Sequence, residues 1–140
     1  MCGTPARDNR RMLIVGLVLA AAAAAFHVFI FALESLKWTE PETRKIFGVA
    51  SEADAVTMKA LAFNQGFYNL FLALLAIVGI AAQAAGSSAV GLTLAFAGAA
   101  SMLAAAAVLF IASAPHRAAA VKQGAFPLLA VGSLGLGLML

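Results

Sequence analysis

Cysteine is all but missing from this chain: the single thiol, Cys2, stands in a short N-terminal tail. One thiol forms neither a disulfide framework nor a thiolate metal site. No apolar stretch precedes it, which removes a lipoprotein reading. Charge is also scarce. Asp, Glu, Lys and Arg make up 11% of the residues and the formal net charge is +3, too little and too dispersed for the clustered basic face of a nucleic-acid-binding protein. His27 and His116, the two histidines, lack the neighbours a zinc site demands. Phosphate-binding loops, GxSxG and dinucleotide fingerprints are absent from the sequence. Neither a metal nor a cofactor is therefore expected.

What remains is apolar. Of 140 residues, 64% are hydrophobic, and the mean hydropathy is +0.99. A chain of this composition would aggregate in water unless lipid covered it, so the bilayer is its first partner. Lipid admits only helices or closed barrels, and no strand alternation occurs. The expected fold is all-α, an integral membrane antiparallel four-helix bundle.

The charge pattern places the spans. An uncharged run from Met12 to Leu33 is long enough to cross a hydrocarbon core of about 30 Å. It is also too long for an ordinary signal peptide, so it is expected to be a permanent span. Nine of the fifteen charged side chains then fall between Glu34 and Lys59, marking a polar connection. Within it, Ser51 followed by Glu52 and Asp54 has the pattern of an N-cap with an acidic first turn. From Ala60 to His116 no residue carries a formal charge if His is neutral. A straight helix of that length would reach roughly 85 Å, so the run must hold two spans. Gly86, Ser87 and Ser88 supply the break, and Ser113-Ala-Pro-His-Arg117 the next one. The expected organisation is a polar tail over 1–11 and one domain over 12–140. Its spans lie at 12–36, 58–82, 88–113 and 123–140, and its polar loop at 37–57. Gly91, Gly98 and Ala105, at seven-residue spacing, read as a close-packing stripe, as do the alanine runs 20–25 and 104–107. Lys and Arg number six on the side of the first and third connections against three on the other, which favours a cytoplasmic first loop.

Two polar stripes interrupt this apolar pattern. His27, Phe31, Glu34 and Trp38 share one face of the first span by helical period. Asn64, Gln65, Tyr68 and Asn69 form a second stripe on the next span. Taking Trp38 and Lys59 as the boundary, helical rise puts Glu34 and Asn64 about 6–8 Å deep, and His27, Tyr68 and Asn69 about 14–16 Å deep. His27 is therefore expected to face Tyr68 in a pocket opening on the side of the first and third connections. Gln123 enters the fourth span from that side. Each residue has a plainer reading. His27 serves equally as a structural donor, Glu34 as a solvated residue near Lys37, Trp38 as an interfacial anchor, and the amides as interhelical glue.

The strings His27-Val-Phe-Ile-Phe-Ala-Leu-Glu34 with Trp38, Pro41-x-x-Arg44-Lys45-x-Phe47-Gly48, Asn64-Gln-Gly-x-Tyr68-Asn69 and Gln123-Gly-x-x-Pro127 resemble the small bacterial membrane family known as domain of unknown function 1304. The resemblance runs over roughly Met12 to Leu129. It implies a four-span protein of the bacterial cell membrane and supplies no activity. Function rests on the polar residues. The first reading is an enzyme performing isomerisation or ring opening on a small lipophilic ligand. In it His27, Glu34 and Tyr68 are the catalytic acid–base groups, and Phe31, Trp38, Asn64, Gln65, Asn69 and Gln123 bind the substrate. A proton-coupled exporter, acting as a homo-oligomer, is the second reading; an accessory subunit whose polar groups only hold helices together is the third.

Overall fold

Inside a bilayer no water is available to backbone amides, so the apolar segments close their hydrogen bonds within helices. The computed structural model describes residues 5–140, with side chains described from Arg7 onward; Cys2 lies outside them. Five α-helices follow in order: α1 (Pro5–Phe31), α2 (Pro41–Phe47), α3 (Glu52–Ala84), α4 (Ser88–Ala112) and α5 (Arg117–Met139). A π-helical turn, Ala32–Leu36, ends α1, and a 3-10 turn, Ala114–His116, precedes α5. Four stretches are long and apolar enough to cross a membrane: Arg7–Leu36, Glu52–Ala84, Ser88–Ala112 and Ala114–Met139. The protein is an all-α, multi-pass membrane protein.

α1 packs on α3 and α5, and α4 completes the bundle against the same two helices. Approach points show that neighbours run antiparallel. A Cβ added to Gly79 would meet Ala95 and Gly91, while one added to Gly98 would meet Ala76, so α3 descends as α4 climbs. The core is built mainly of alanine. Ala23, Ala24, Ala73, Ala76 and Met102 form one buried cluster, and Ala20, Ala99 and Ala130 another. Lipid tails are as apolar as these side chains, so association here comes from van der Waals contact between closely approaching backbones. The buried stripe of α4 is Gly91, Ala95, Gly98, Ala99, Met102 and Ala106. Ala105, which seven-residue spacing assigned to it, is exposed, because the true helical period is 3.6 residues and drifts from a strict seven.

Helix ends depart from the charge boundaries. α3 begins at Glu52, where Ser51 caps it by accepting from the Asp54 amide at 3.1 Å. Its first turns therefore carry Lys59, which lies within the helix and does not mark its edge. α5 begins at Arg117 and not near Gln123. The polar loop is itself ordered. α2 ends at Gly48 in the left-handed conformation, φ 68°, which glycine adopts without a steric penalty. Trp38 is buried there beside Ala55 and Ala62, its indole packed on Phe47 at 5.3 Å between centroids. Its Nε1 donates to the Ala55 carbonyl at 2.9 Å, which ties the end of α1 to the start of α3.

Candidate functional site

The π turn is the local event that creates the site. The Lys37 amide bonds to the Ala32 carbonyl at 3.1 Å, five residues back, one more than an α-helix takes. Single π turns recur at functional positions because the extra residue re-aims the side chains around it. Glu34 lies within this turn, only 9% exposed. Asn69 Nδ2, on α3, donates to Glu34 Oε2 at 2.8 Å and also approaches the Gln65 carbonyl at 3.3 Å. A buried carboxyl group held by one amide on a neighbouring helix is oriented, not merely tolerated.

α3 comes close enough for this because residue 66 has no side chain. A Cβ at Gly66 would strike Ser35 Oγ and lie 3.1 Å from Glu34 Cβ. Ser35 Oγ donates to the Phe63 carbonyl at 2.8 Å, clamping the same contact. Beside it opens a cavity of about 210 Å³ lined by Glu34, Trp38, Met58, Leu61, Ala62 and Gln65. Met58, Leu61 and Gln65 are exposed, so the cavity opens sideways at the loop end of α1 and α3. Glu34 and Gln65 give its hydrogen-bonding groups, and Trp38 with Leu61 its apolar walls. Of the expected site, Glu34, Trp38 and Gln65 are brought together, with Asn69 holding the carboxyl group from behind.

The other members fall elsewhere. His27 is fully buried, its Nδ1 2.9 Å from the Ala23 carbonyl, and its Nε2 has no partner among the described residues. Tyr68 is 55% exposed on the outer surface of α3 and accepts a bond from Asn64 Nδ2 at 3.3 Å. The expected His27–Tyr68 pair is therefore corrected: Tyr68 points away from the bundle interior. Asn64 shares that outward face. Phe31 meets the Phe67 ring edge-on at 5.1 Å and does not line the cavity. Gln123 is half-buried on α5. The α1–α5 register, set by Leu13 with Gly137 and Gly16 with Leu134, continues to a level match between His27 and Gln123, away from Glu34. Glu34 is not a solvated partner of Lys37, which pairs with Glu40 at 3.6 Å. Nor does Trp38 face lipid as a belt residue; it is an internal clamp.

Helix face as well as depth separates His27 from Tyr68: the buried line of α3 runs through Ala62, Gly66, Asn69, Ala73 and Ala76, and Tyr68 lies about 100° around the helix from Asn69. Lys59 does not mark the level of Trp38, because α3 starts seven residues earlier, at Glu52, and Trp38 packs beside Ala62. The real register sets Glu34 against Gly66 and Asn69, about one turn further along α3 than Asn64. At that register the residues opposite His27 are alanines of the core, not Tyr68. Ser35 and Gly66 shape the contact; Ser35 has no signature in the sequence, and Gly66 shows only as a glycine beside Asn64 and Gln65 within an apolar helix. Among the described residues, no three His, Cys, Asp or Glu side chains gather as a metal site would.

Comparison with known proteins adds a family and no activity. The model of a family described as a protein of unknown function (DUF1304) matches residues 21–134, a segment containing every candidate residue from His27 to Gln123. No curated protein and no solved structure matches the chain.

Proposed function

The chain belongs to the DUF1304 family, and from the geometry around Glu34 we propose that it takes a small lipophilic molecule from the membrane into the Glu34 cavity and exchanges a proton with it. The observation that carries this reading is a buried carboxyl group, oriented by Asn69, forming the wall of a cavity of about 210 Å³. Glue would need the bond to Asn69 but no cavity beside it.

Isomerisation is the reaction that this reduced set of residues supports. Glu34 as carboxylate takes a proton from a substrate carbon, the electron pair moves to a neighbouring position, and the protonated Glu34 returns the proton there. No co-reactant is consumed. Ring opening follows the same two transfers when the moving pair breaks a ring bond. Gln65 orients a polar group of the substrate, Trp38 and Leu61 enclose its apolar part, and Asn69 is a positioning residue behind Glu34. His27 is a structural and not a catalytic group in this reading, since it does not line the cavity. The protein works as a multi-pass protein of the bacterial cell membrane, with the first and third connections in the cytoplasm.

Proton exchange at carbon leaves an isotopic trace. Membranes containing the protein, supplied with a lipid-soluble metabolite extract in deuterium oxide, should place deuterium on carbon in at least one extracted compound. Glu34→Gln should slow this by about 10²–10⁴, the usual worth of general acid–base catalysis. Equal incorporation with both proteins, or none with either, rejects the enzyme. Loss of proton-coupled efflux in Glu34→Gln vesicles, without any isotope exchange, would assign the cavity to an exporter.

A further inference from the structure

A second concavity lies on the opposite side of the bundle and takes no part in the Glu34 site. α4 and α5 leave an open groove of about 300 Å³ between them, lined by Leu103, Ala107, Phe110, Val121, Gly124 and Leu128 among other apolar residues. It runs from Phe110 to Leu103 on α4 and from Ala120 to Leu128 on α5. Helical rise makes that about 11–12 Å. One leaflet of hydrocarbon is about 15 Å deep, so the groove begins near the third connection and runs most of the way to the midplane.

A cation stands at its outer end. Arg117 lies one turn before Ala120 and Val121, on the same face of α5. Its Nε donates to the Phe110 carbonyl at 3.1 Å, and its guanidinium carbon lies 5.2 Å from the centroid of the Phe110 ring. Phe110 lines the groove, so the guanidinium is fixed over its mouth with its terminal amines still available to an oxyanion. No acidic side chain follows Asp54 in the chain, so neither α4 nor α5 offers a carboxylate to this charge.

We propose that the groove between α4 and α5 binds one acyl chain of an anionic phospholipid, with the phosphate held by Arg117. The groove fits this occupant in three respects: it is apolar throughout, it is confined to one leaflet, and its only fixed charge sits where a headgroup would be. A second copy of the chain would have no need of a cation at one end. Lys122 serves as a control, because it is exposed on α5 but about 130° from the centre of the groove face.

Native mass spectrometry of the full chain, purified in detergent with equal phosphatidylglycerol and phosphatidylcholine, tests the proposal. The protein should retain one phosphatidylglycerol in preference to phosphatidylcholine. Arg117→Gln should cut that preference roughly fivefold, the usual worth of one basic residue at an anionic surface, while Lys122→Gln should leave it intact. Ala107→Phe, which fills the groove from an exposed position, should lower retention of both lipids; Ala125→Phe provides the same test from α5 should the first variant fail to fold. Equal retention of the two lipids by the natural protein, undiminished retention by the filled groove, or a dimer that Ala107→Phe dissociates would each overturn the proposal.

Discussion

A single missing side chain at residue 66 decides whether Glu34 can be held. Gly66 admits Ser35 and Glu34 to the surface of α3, and alanine there would place its Cβ against Ser35 Oγ and the Ser35 amide nitrogen, the latter at 3.1 Å. The backbone cannot yield cheaply, because Ser35 is also bonded to the Phe63 carbonyl. Gly66→Ala should therefore destabilise the protein by about 1–3 kcal/mol, as overpacking a tight contact does. Thermal unfolding in detergent should show a clearly lowered midpoint. An unchanged midpoint would mean that the α1–α3 contact is looser than described. Alanine at Gly132, inside α5 where an added Cβ meets nothing within 4 Å, should not lower the midpoint, since alanine suits a helix better than glycine does.

At the scale of the element, the π turn makes the end of α1 a platform and not a simple helix end. Its extra residue lets Glu34 face Asn69 while the chain that follows turns so that Trp38 reaches Ala55. Deleting the exposed Leu36 should restore four-residue closure and pull Trp38 out of its seat. Trp38 is the only tryptophan, so its emission reports this directly: a red shift is expected, and emission at the wavelength of the natural protein would show that the turn is not needed. Charge and period made the helices legible in the sequence, together with the turn at Gly86 and the cap at Ser51, because each depends on a few neighbouring residues. The shared face of Glu34 and Trp38 was legible for the same reason. Two things were not. The π turn has no local signature, and the register between α1 and α3 depends on where α3 begins, which the charged residues of its first turns concealed. That displacement of about one turn gave Asn69 to Glu34, while the outward face that Tyr68 occupies on α3 separated it from His27.

For the molecule as a whole, four membrane-crossing stretches make the two ends of the bundle chemically unequal. The Glu34 cavity, the polar loop and Arg117 all belong to the end with six of the nine Lys and Arg residues, the end that the positive-inside rule assigns to the cytoplasm. With Cys2 replaced by serine, a membrane-impermeant thiol reagent applied to intact cells should label Ser87→Cys and spare Glu42→Cys; both positions are exposed. The reverse pattern would invert the orientation. The whole account turns on Glu34 being a reactive carboxyl group reached from the membrane, and the chain offers five other acidic residues for comparison. Dicyclohexylcarbodiimide partitions into lipid and adds to protonated carboxyl groups there. Mass spectrometry of the protein treated in membranes should find the adduct on Glu34 and not on Asp8, Glu40, Glu42, Glu52 or Asp54, with Leu61→Trp, which closes the cavity, reducing it. An adduct spread over the exposed acids with Glu34 untouched would contradict the site.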